Sequence, residues 1–510
     1  MMSGNRLTIA IVSVAFLAAA IAASVSTGCS PGAATSGGGS GNLFVSAGQT
    51  LSAFRAIQVD PPSEDSAGPQ FVASADLNGD GLMDLVSAWN QSQPVQVHLQ
   101  GRTADGSISF ETTTLAGNIP AVSVAGIEVA DFNLDDRPDI AVLVKISLQG
   151  NAGCLDSNLP PDGTLSGLVQ LYLGPTDSAQ ANQALAWQEV AVEISRLPAP
   201  ESVPTLPELE GYTSMAIGDL NLDGAPDIVV ASNISCDGQA SDVLLFTNQG
   251  PSAIQDGTWR GEALPNPFPR TTIKDIGLGD IDGDGDLDIV ATFPDAPSMN
   301  VRWFRNPTLD TPDDFHLSDG LWHVGAVAQI STGADILELG DINLDGILDV
   351  VVRSTNGRLI QWLQGPDTPT TEPVRSIAWR VFTVAEFTER SPDAMALVDL
   401  NFDGQLEVVA SAQGGLLWFD STGPATLFDQ WTENLIIDDQ TATSAPTSAT
   451  VDPNADPNAV PEPQMASTLM NWILPVDLNG DGANDLVVPL DRSGLSGLTN
   501  DALVWFENLR

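Results

Sequence analysis

Acidic side chains recur along the 510-residue chain in one arrangement. The stretch Asp76-Leu77-Asn78-Gly79-Asp80-Gly81-Leu82-Met83-Asp84 places oxygen donors at its positions 1, 3, 5 and 9. The same register returns six times: at Asp131, Asn133, Asp135 and Asp139; at Asp219, Asn221, Asp223 and Asp227; at Asp280, Asp282, Asp284 and Asp288; at Asp341, Asn343, Asp345 and Asp349; at Asp399, Asn401, Asp403 and Glu407; and at Asp477, Asn479, Asp481 and Asp485. Alternating oxygen-bearing side chains over five residues can curl around one hard cation. Ca²⁺ takes six to eight oxygens at about 2.3–2.6 Å, from carboxylates, amides, backbone carbonyls and water, whereas Mg²⁺ sheds its own water reluctantly. Glycine at position 6 supplies the positive φ that turns the chain back. Position 9 then adds a carboxylate able to bind through both oxygens, and position 7 offers a backbone carbonyl. The second stretch has Asp136 in place of that glycine and Arg137 beside the donors. It is expected to be the weakest of up to seven Ca²⁺ sites.

One such stretch alone reads equally well as an Asp/Asn/Gly-rich turn, but seven in one register do not. An EF-hand loop begins alike and needs Glu at position 12. Those positions are Ser87, Val142, Val230, Ala291, Val352, Ala410 and Val488, and the residues after each loop are strand-like, as in Ile228-Val229-Val230. An EF-hand is excluded.

The elements that must hold these loops repeat with them. A short apolar strand such as Met215-Ala216-Ile217-Gly218 precedes each loop, and a Val/Ile strand comes after it. A third strand ends in a turn, as in Leu245-Phe246-Thr247-Asn248 and Trp303-Phe304-Arg305-Asn306. A fourth opens on one aromatic: Phe110, Trp187, Trp259, Trp322, Trp379 or Trp431. Four strands per unit, at a period of about 60 residues, is the organisation of propeller blades. The seventh unit ends at Arg510 after its third strand, while Phe54 precedes the first unit. Phe54 lies 22 residues before Asp76, close to the 21 that separate Phe110 from Asp131 and Trp259 from Asp280. The strand at about 50–60 is therefore expected to complete the last blade and close the ring, removing its open edges. The recurring aromatics are expected between blades, with a sugar-stacking set as the alternative.

These loops resemble the FG-GAP/VCBS repeats, the calcium-loop propellers that include the integrin alpha-subunit head and several fungal lectins. The resemblance covers about residues 50–510. It implies an all-β fold, a seven-bladed β-propeller of four-stranded blades, with Ca²⁺ between the first and second strands of each blade. Asp136 and Glu407 depart from the family pattern.

Composition bounds the function. Against 66 Asp+Glu there are 18 Lys+Arg, a net charge of −48, and that field argues against nucleic acid and anionic lipid as partners. The chain is 43% hydrophobic, enough for a large core. The seven loops hold 24 of the 66 acids, so paired carboxylates are no sign of glycosidase chemistry. His98, His316 and His323 fall in different units, and no nucleophile elbow, zinc-binding helix or phosphate loop occurs. No catalytic residue is expected. Three classes remain: a non-catalytic binding, adhesion or scaffold module, favoured here; a lectin-like glycan binder; and a polysaccharide-active enzyme such as a lyase, which so acidic a chain suits poorly. The expected partner is a protein or glycan, and a monomer is expected.

Residues 1–28 read as a secretory signal, with Arg6 before an apolar run from Ile9 to Ala23. Ser26-Thr27-Gly28-Cys29 resembles the lipobox of bacterial lipoproteins, with Cys29 as the lipidated residue and Ser26 where that family carries Leu. An uncleaved anchor and cleavage near Ala23 are the alternatives. Residues 29–48 form a Gly/Ser-rich tether, residues 49–510 the propeller, and the Pro/Ala/Thr-rich loop 440–466 is expected to be disordered. The protein is expected to be exported and held at a membrane only through its N-terminal lipid, at the cell surface or in the periplasm. An exported compartment permits a disulfide between Cys154 and Cys236; a bridge and two buried thiols both stay open.

Overall fold

A computed structural model of the chain describes residues 54–59, 68–89, 95–115, 123–145, 167–192, 212–232, 242–256, 259–264, 271–296, 299–309, 322–354, 356, 358–366, 379–387, 392–412, 415–421, 431–438, 470–490 and 502–509. Cys29, Cys154, Cys236, His316 and the loop 440–466 lie outside them.

Seven four-stranded antiparallel sheets stand in a ring, a seven-bladed β-propeller. Blade 1 is Pro69–Ala75, Asp84–Trp89, Val95–Arg102 and Ile108–Thr114. Blade 2 is Ser123–Ala130, Asp139–Lys145, Gly167–Leu173 and Gln188–Val192. Blade 3 is Tyr212–Gly218, Asp227–Ser232, Asp242–Thr247 and Arg260–Ala263. Blade 4 is Ile276–Gly279, Asp288–Thr292, Val301–Arg305 and His323–Ala328. Blade 5 is Ile336–Gly340, Asp349–Ser354, Leu359–Gln364 and Arg380–Glu386. Blade 6 is Ala394–Val398, Glu407–Ala412, Gly415–Ser421 and Trp431–Asp438. Blade 7 takes Leu474–Val476, Asp485–Leu490 and Ala502–Asn508 from the C-terminal end and Phe54–Gln58 from the N-terminal end. That last strand pairs antiparallel with Ala502–Asn508, from Phe54 opposite Asn508 to Gln58 opposite Val504. The ring closes as the spacing predicts.

The core lies between blades. The second strands are covered on both faces by neighbouring sheets, and the residues of Asp227–Ser232, Asp349–Ser354 and Asp485–Leu490 are all buried. Hence they read as continuous apolar runs rather than alternations. Seven hydrophobic clusters fill the seven interfaces, and each contains or contacts the fourth-strand aromatic of one blade packed on the blade before it. Trp259 of blade 3, for example, meets Phe132 of blade 2 edge-on, with ring centroids 6.2 Å apart. Inter-blade packing is the role of these rings. Among the described residues no helix is long and apolar enough to cross a membrane.

Candidate metal centres

All seven acidic stretches lie between the first and second strands of their blades, and position 9 is in every case the first residue of the second strand. Antiparallel order brings the third-to-fourth connections to the same end of each sheet. One face of the ring therefore carries all seven loops.

The position-1 carboxylate organises each turn. Oδ1 of Asp76 accepts the backbone N–H of Gly79 at 2.8 Å and of Asp80 at 3.0 Å, and Oδ2 accepts that of Gly81 at 2.9 Å. Bonds from positions 5 and 6 recur at Asp131, Asp219, Asp280, Asp341 and Asp477. At Asp399 the donors are Phe402 and Gly404. Position 5 accepts the position-7 N–H in all seven, as Leu82 donates to Asp80 at 2.8 Å. Positive φ holds at position 6 throughout, including 63° at Asp136, where a side chain takes the conformation that glycine takes elsewhere. It also holds at position 4, which the sequence pattern did not reveal: Gly79, Leu134, Leu222, Gly283, Leu344, Phe402 and Gly480 are all left-handed. Glycine in three of the seven was the available signal.

Position 9 is buried and committed to backbone. One oxygen of Asp84 accepts the Leu77 N–H at 2.9 Å, and the other the N–H of Gln100, at the third strand's end, at 2.7 Å. Asp139, Asp227, Asp288, Asp349 and Asp485 repeat both bonds, with Gly174, Asn248, Asn306, Gly365 and Asn508 as third-strand donors. Glu407 departs from this pattern: its carboxylate takes the Leu400 N–H and the Asn401 side-chain amide, both at 2.7 Å. Burial pushes Asp84 up to about 6, Asp139, Asp227, Asp349 and Asp485 up to about 7, and Glu407 up to about 8; the backbone donors oppose the shift and the other loop carboxylates add to it. Asp288 is raised well above the usual range for the same reason. Such buried like charges are what a bound cation would offset.

Two further features escaped sequence reading. The amide that ends the third strand reaches the preceding blade: Gln100 Nε2 donates to the Leu478 carbonyl at 2.7 Å, Asn248 Nδ2 to Phe132 at 2.9 Å, Asn306 Nδ2 to Leu220 at 2.8 Å and Asn508 Nδ2 to Leu400 at 3.1 Å. These residues thus tie position 9 of one loop to position 2 of the loop in the preceding blade. The recurrent Asn and Gln were visible, but they read as turn residues. The second feature is cationic. Arg305, buried at the end of its strand, pairs with Asp282 and with Asp284, the latter at 3.0 Å. Arg137 pairs with Asp135 as its position beside the donors suggests.

The donor set suits a hard cation. Carboxylate oxygens of Asp280, Asp282 and Asp288, and likewise of Asp399, Asp403 and Glu407, lie within 4.8 Å of one another, a spacing able to hold a metal ion. His98, by contrast, is fully buried between Ser87 Oγ at 2.7 Å and Thr112 Oγ1 at 2.9 Å. Burial lowers it to about 3, so it stays neutral and closed to substrate. His323 is exposed at the start of its strand.

Residues 76–142 and 219–291 match the family model described as an FG-GAP-like repeat. No curated protein sequence matches the chain. Among solved structures it is similar to an Agrocybe aegerita lectin specific for non-reducing terminal N-acetylglucosamine, at 15% identity and TM-score 0.40, covering 72% of this chain and 80% of that one. It is similar to BBS1N in complex with ARL6DN at 14% identity and TM-score 0.44, covering 90% and 97%. A rhamnogalacturonan lyase of Bacillus licheniformis gives 15% and 0.41, covering 89% and 75%. The chain is a seven-bladed β-propeller that carries FG-GAP-like repeats over residues 76–142 and 219–291.

Proposed function

We propose that this is an exported, calcium-binding propeller acting as a non-catalytic binding or scaffold module, with the loop face as its partner surface. Positions 1, 3, 5 and 9 of the seven loops are the proposed ligands, for up to seven Ca²⁺, and Cys29 the proposed lipid attachment. FG-GAP repeats are typically calcium-binding and commonly extracellular, which supports this reading.

The observation that carries it is the placement of exposed apolar side chains. Among the described residues nine large hydrophobics are exposed, and seven of them lie at the loop-bearing ends of the blades: Leu134, Leu185, Leu222, Leu309, Leu344, Phe402 and Leu509. Four are position-4 residues held at positive φ. Left-handed backbone costs a non-glycine residue about 1–2 kcal/mol, and water gives nothing back for an exposed leucine. A face that keeps such tips at equivalent positions around the ring is suited to contact. Six of the seven are aliphatic, which favours a protein over a stacked sugar.

The test compares the Ca²⁺-loaded chain with a variant carrying Leu134→Ser, Leu222→Ser, Leu344→Ser and Phe402→Ser. Captured cell-surface protein should fall at least tenfold with the variant, while a glycan array stays blank. Glycan retention that survives the four substitutions would replace this reading with a lectin. Unsaturated, ultraviolet-absorbing products from a polysaccharide would replace it with a lyase.

A further inference from the structure

We propose that Arg305 is a built-in cation of the blade 4 loop, so that the most acidic of the seven loops takes up Ca²⁺ only by displacing a guanidinium. The proposal rests on the calcium reading above. Asp280, Asp282, Asp284, Asp286 and Asp288 give this loop five acids, where five of the others have three. By charge alone it should be the strongest site.

The structure reverses that order. Arg305 ends the third strand with its side chain 7% exposed. Its Nε meets Oδ2 of Asp282, and its Nη2 meets Oδ2 of Asp284 at 3.0 Å. It therefore spans positions 3 and 5, two of the donors a central ion would need. A guanidinium is always charged and its planar fork matches two carboxylates, so it competes as a preorganised cation rather than a passing neighbour. A divalent ion entering the loop would lose those oxygens to the arginine or lie beside its positive charge.

The equivalent third-strand residue, one after the residue that pairs with the second position of strand two, is Leu99, Leu173, Thr247, Gln364, Asp420 and Glu507 in the other blades. None is cationic. Glu507 places one carboxylate oxygen 3.2 Å from the position-3 amide of Asn479 and pairs through the other with Arg55. This strand position thus brings a cation to the blade 4 loop and a carboxylate already paired with Arg55 to the blade 7 loop. Arg137 in blade 2 is a weaker counterpart, more exposed and paired with Asp135.

Native mass spectrometry and equilibrium dialysis of the full chain would count bound Ca²⁺. Arg305→Gln should bind one more ion than the unaltered protein at the same free Ca²⁺, or tighten its weakest site at least tenfold. Asp280→Asn should leave the count of tightly bound ions unchanged, while Asp477→Asn lowers it by one. An unchanged count and affinity in Arg305→Gln, or the loss of one tight ion in Asp280→Asn, overturns the proposal. If Arg305→Gln folds only with Ca²⁺ present, the ion has taken over the arginine's charge, as expected. If it folds in neither condition, the Asp280→Asn and Asp477→Asn pair decides. Unaltered protein that binds no Ca²⁺ at all sinks the calcium reading and the proposal together; binding with the wrong pattern sinks only the role of Arg305.

Discussion

At the scale of the residue, burial decides which acids matter. Glu128 and Glu338 occupy the same place in the first strands of blades 2 and 5, three residues before position 1. Burial raises Glu128 to about 7 and Glu338 to about 8, the latter also through repulsion from Asp275 and Glu128. Both start from 4.5, so the folded state holds protons that the unfolded chain releases. Their contribution to stability is fully present below about pH 4.5 and is lost as pH rises through 7 to 8. Glu128→Gln with Glu338→Gln should therefore melt higher than the unaltered protein at pH 8.5, and the gap should close by pH 5. A gap that does not vary with pH would exclude this origin. Neither residue stood out in the sequence, where each is one acid in an apolar strand. The position-6 glycines did stand out, because that turn demands them. Position 4 did not, because leucine does not announce left-handed backbone.

At the scale of the element, the strand Phe54–Gln58 carries the closure. Without it Ala502–Asn508 would present an unpaired edge, and the blade 6–blade 7 cluster would lose Phe54 and Ala56. Deleting residues 49–60 should abolish the cooperative thermal transition and give aggregates by light scattering. Unchanged melting would refute the closure's energetic role. The spacing of aromatics made this strand legible, because a blade's fourth strand must lie a near-constant distance before the next loop. The inter-blade amides were not legible. Asn306 reaches Leu220 across 86 positions, a distance along the chain that no local pattern reports.

At the scale of the whole molecule, the proposed calcium reading of the seven acidic loops on one face predicts that stability depends on Ca²⁺. Extracellular modules bind with Kd of about 10⁻⁴–10⁻³ M. Free ion at about tenfold over Kd adds roughly 1.4 kcal/mol per independent site. Several such sites are a large part of the roughly 5–15 kcal/mol that holds a typical domain together. Calorimetry should show a Tm that falls by several degrees in EGTA and recovers with added Ca²⁺; identical unfolding in both buffers would remove the ion from the energetics.

The linear order of residues was enough to determine the loops, the blade count and the circular closure. Each depends on local chemistry repeated at a fixed period, and repetition is visible without coordinates. Tertiary structure alone decided how the loops differ. Whether Arg305 neutralises its loop, Glu507 accepts from the Asn479 amide of another, or Asn248 bonds to a neighbouring blade depends on which strand end packs against which turn. Those distances are set by antiparallel pairing and by the packing of blades around the ring, and neither is written in any single stretch of sequence.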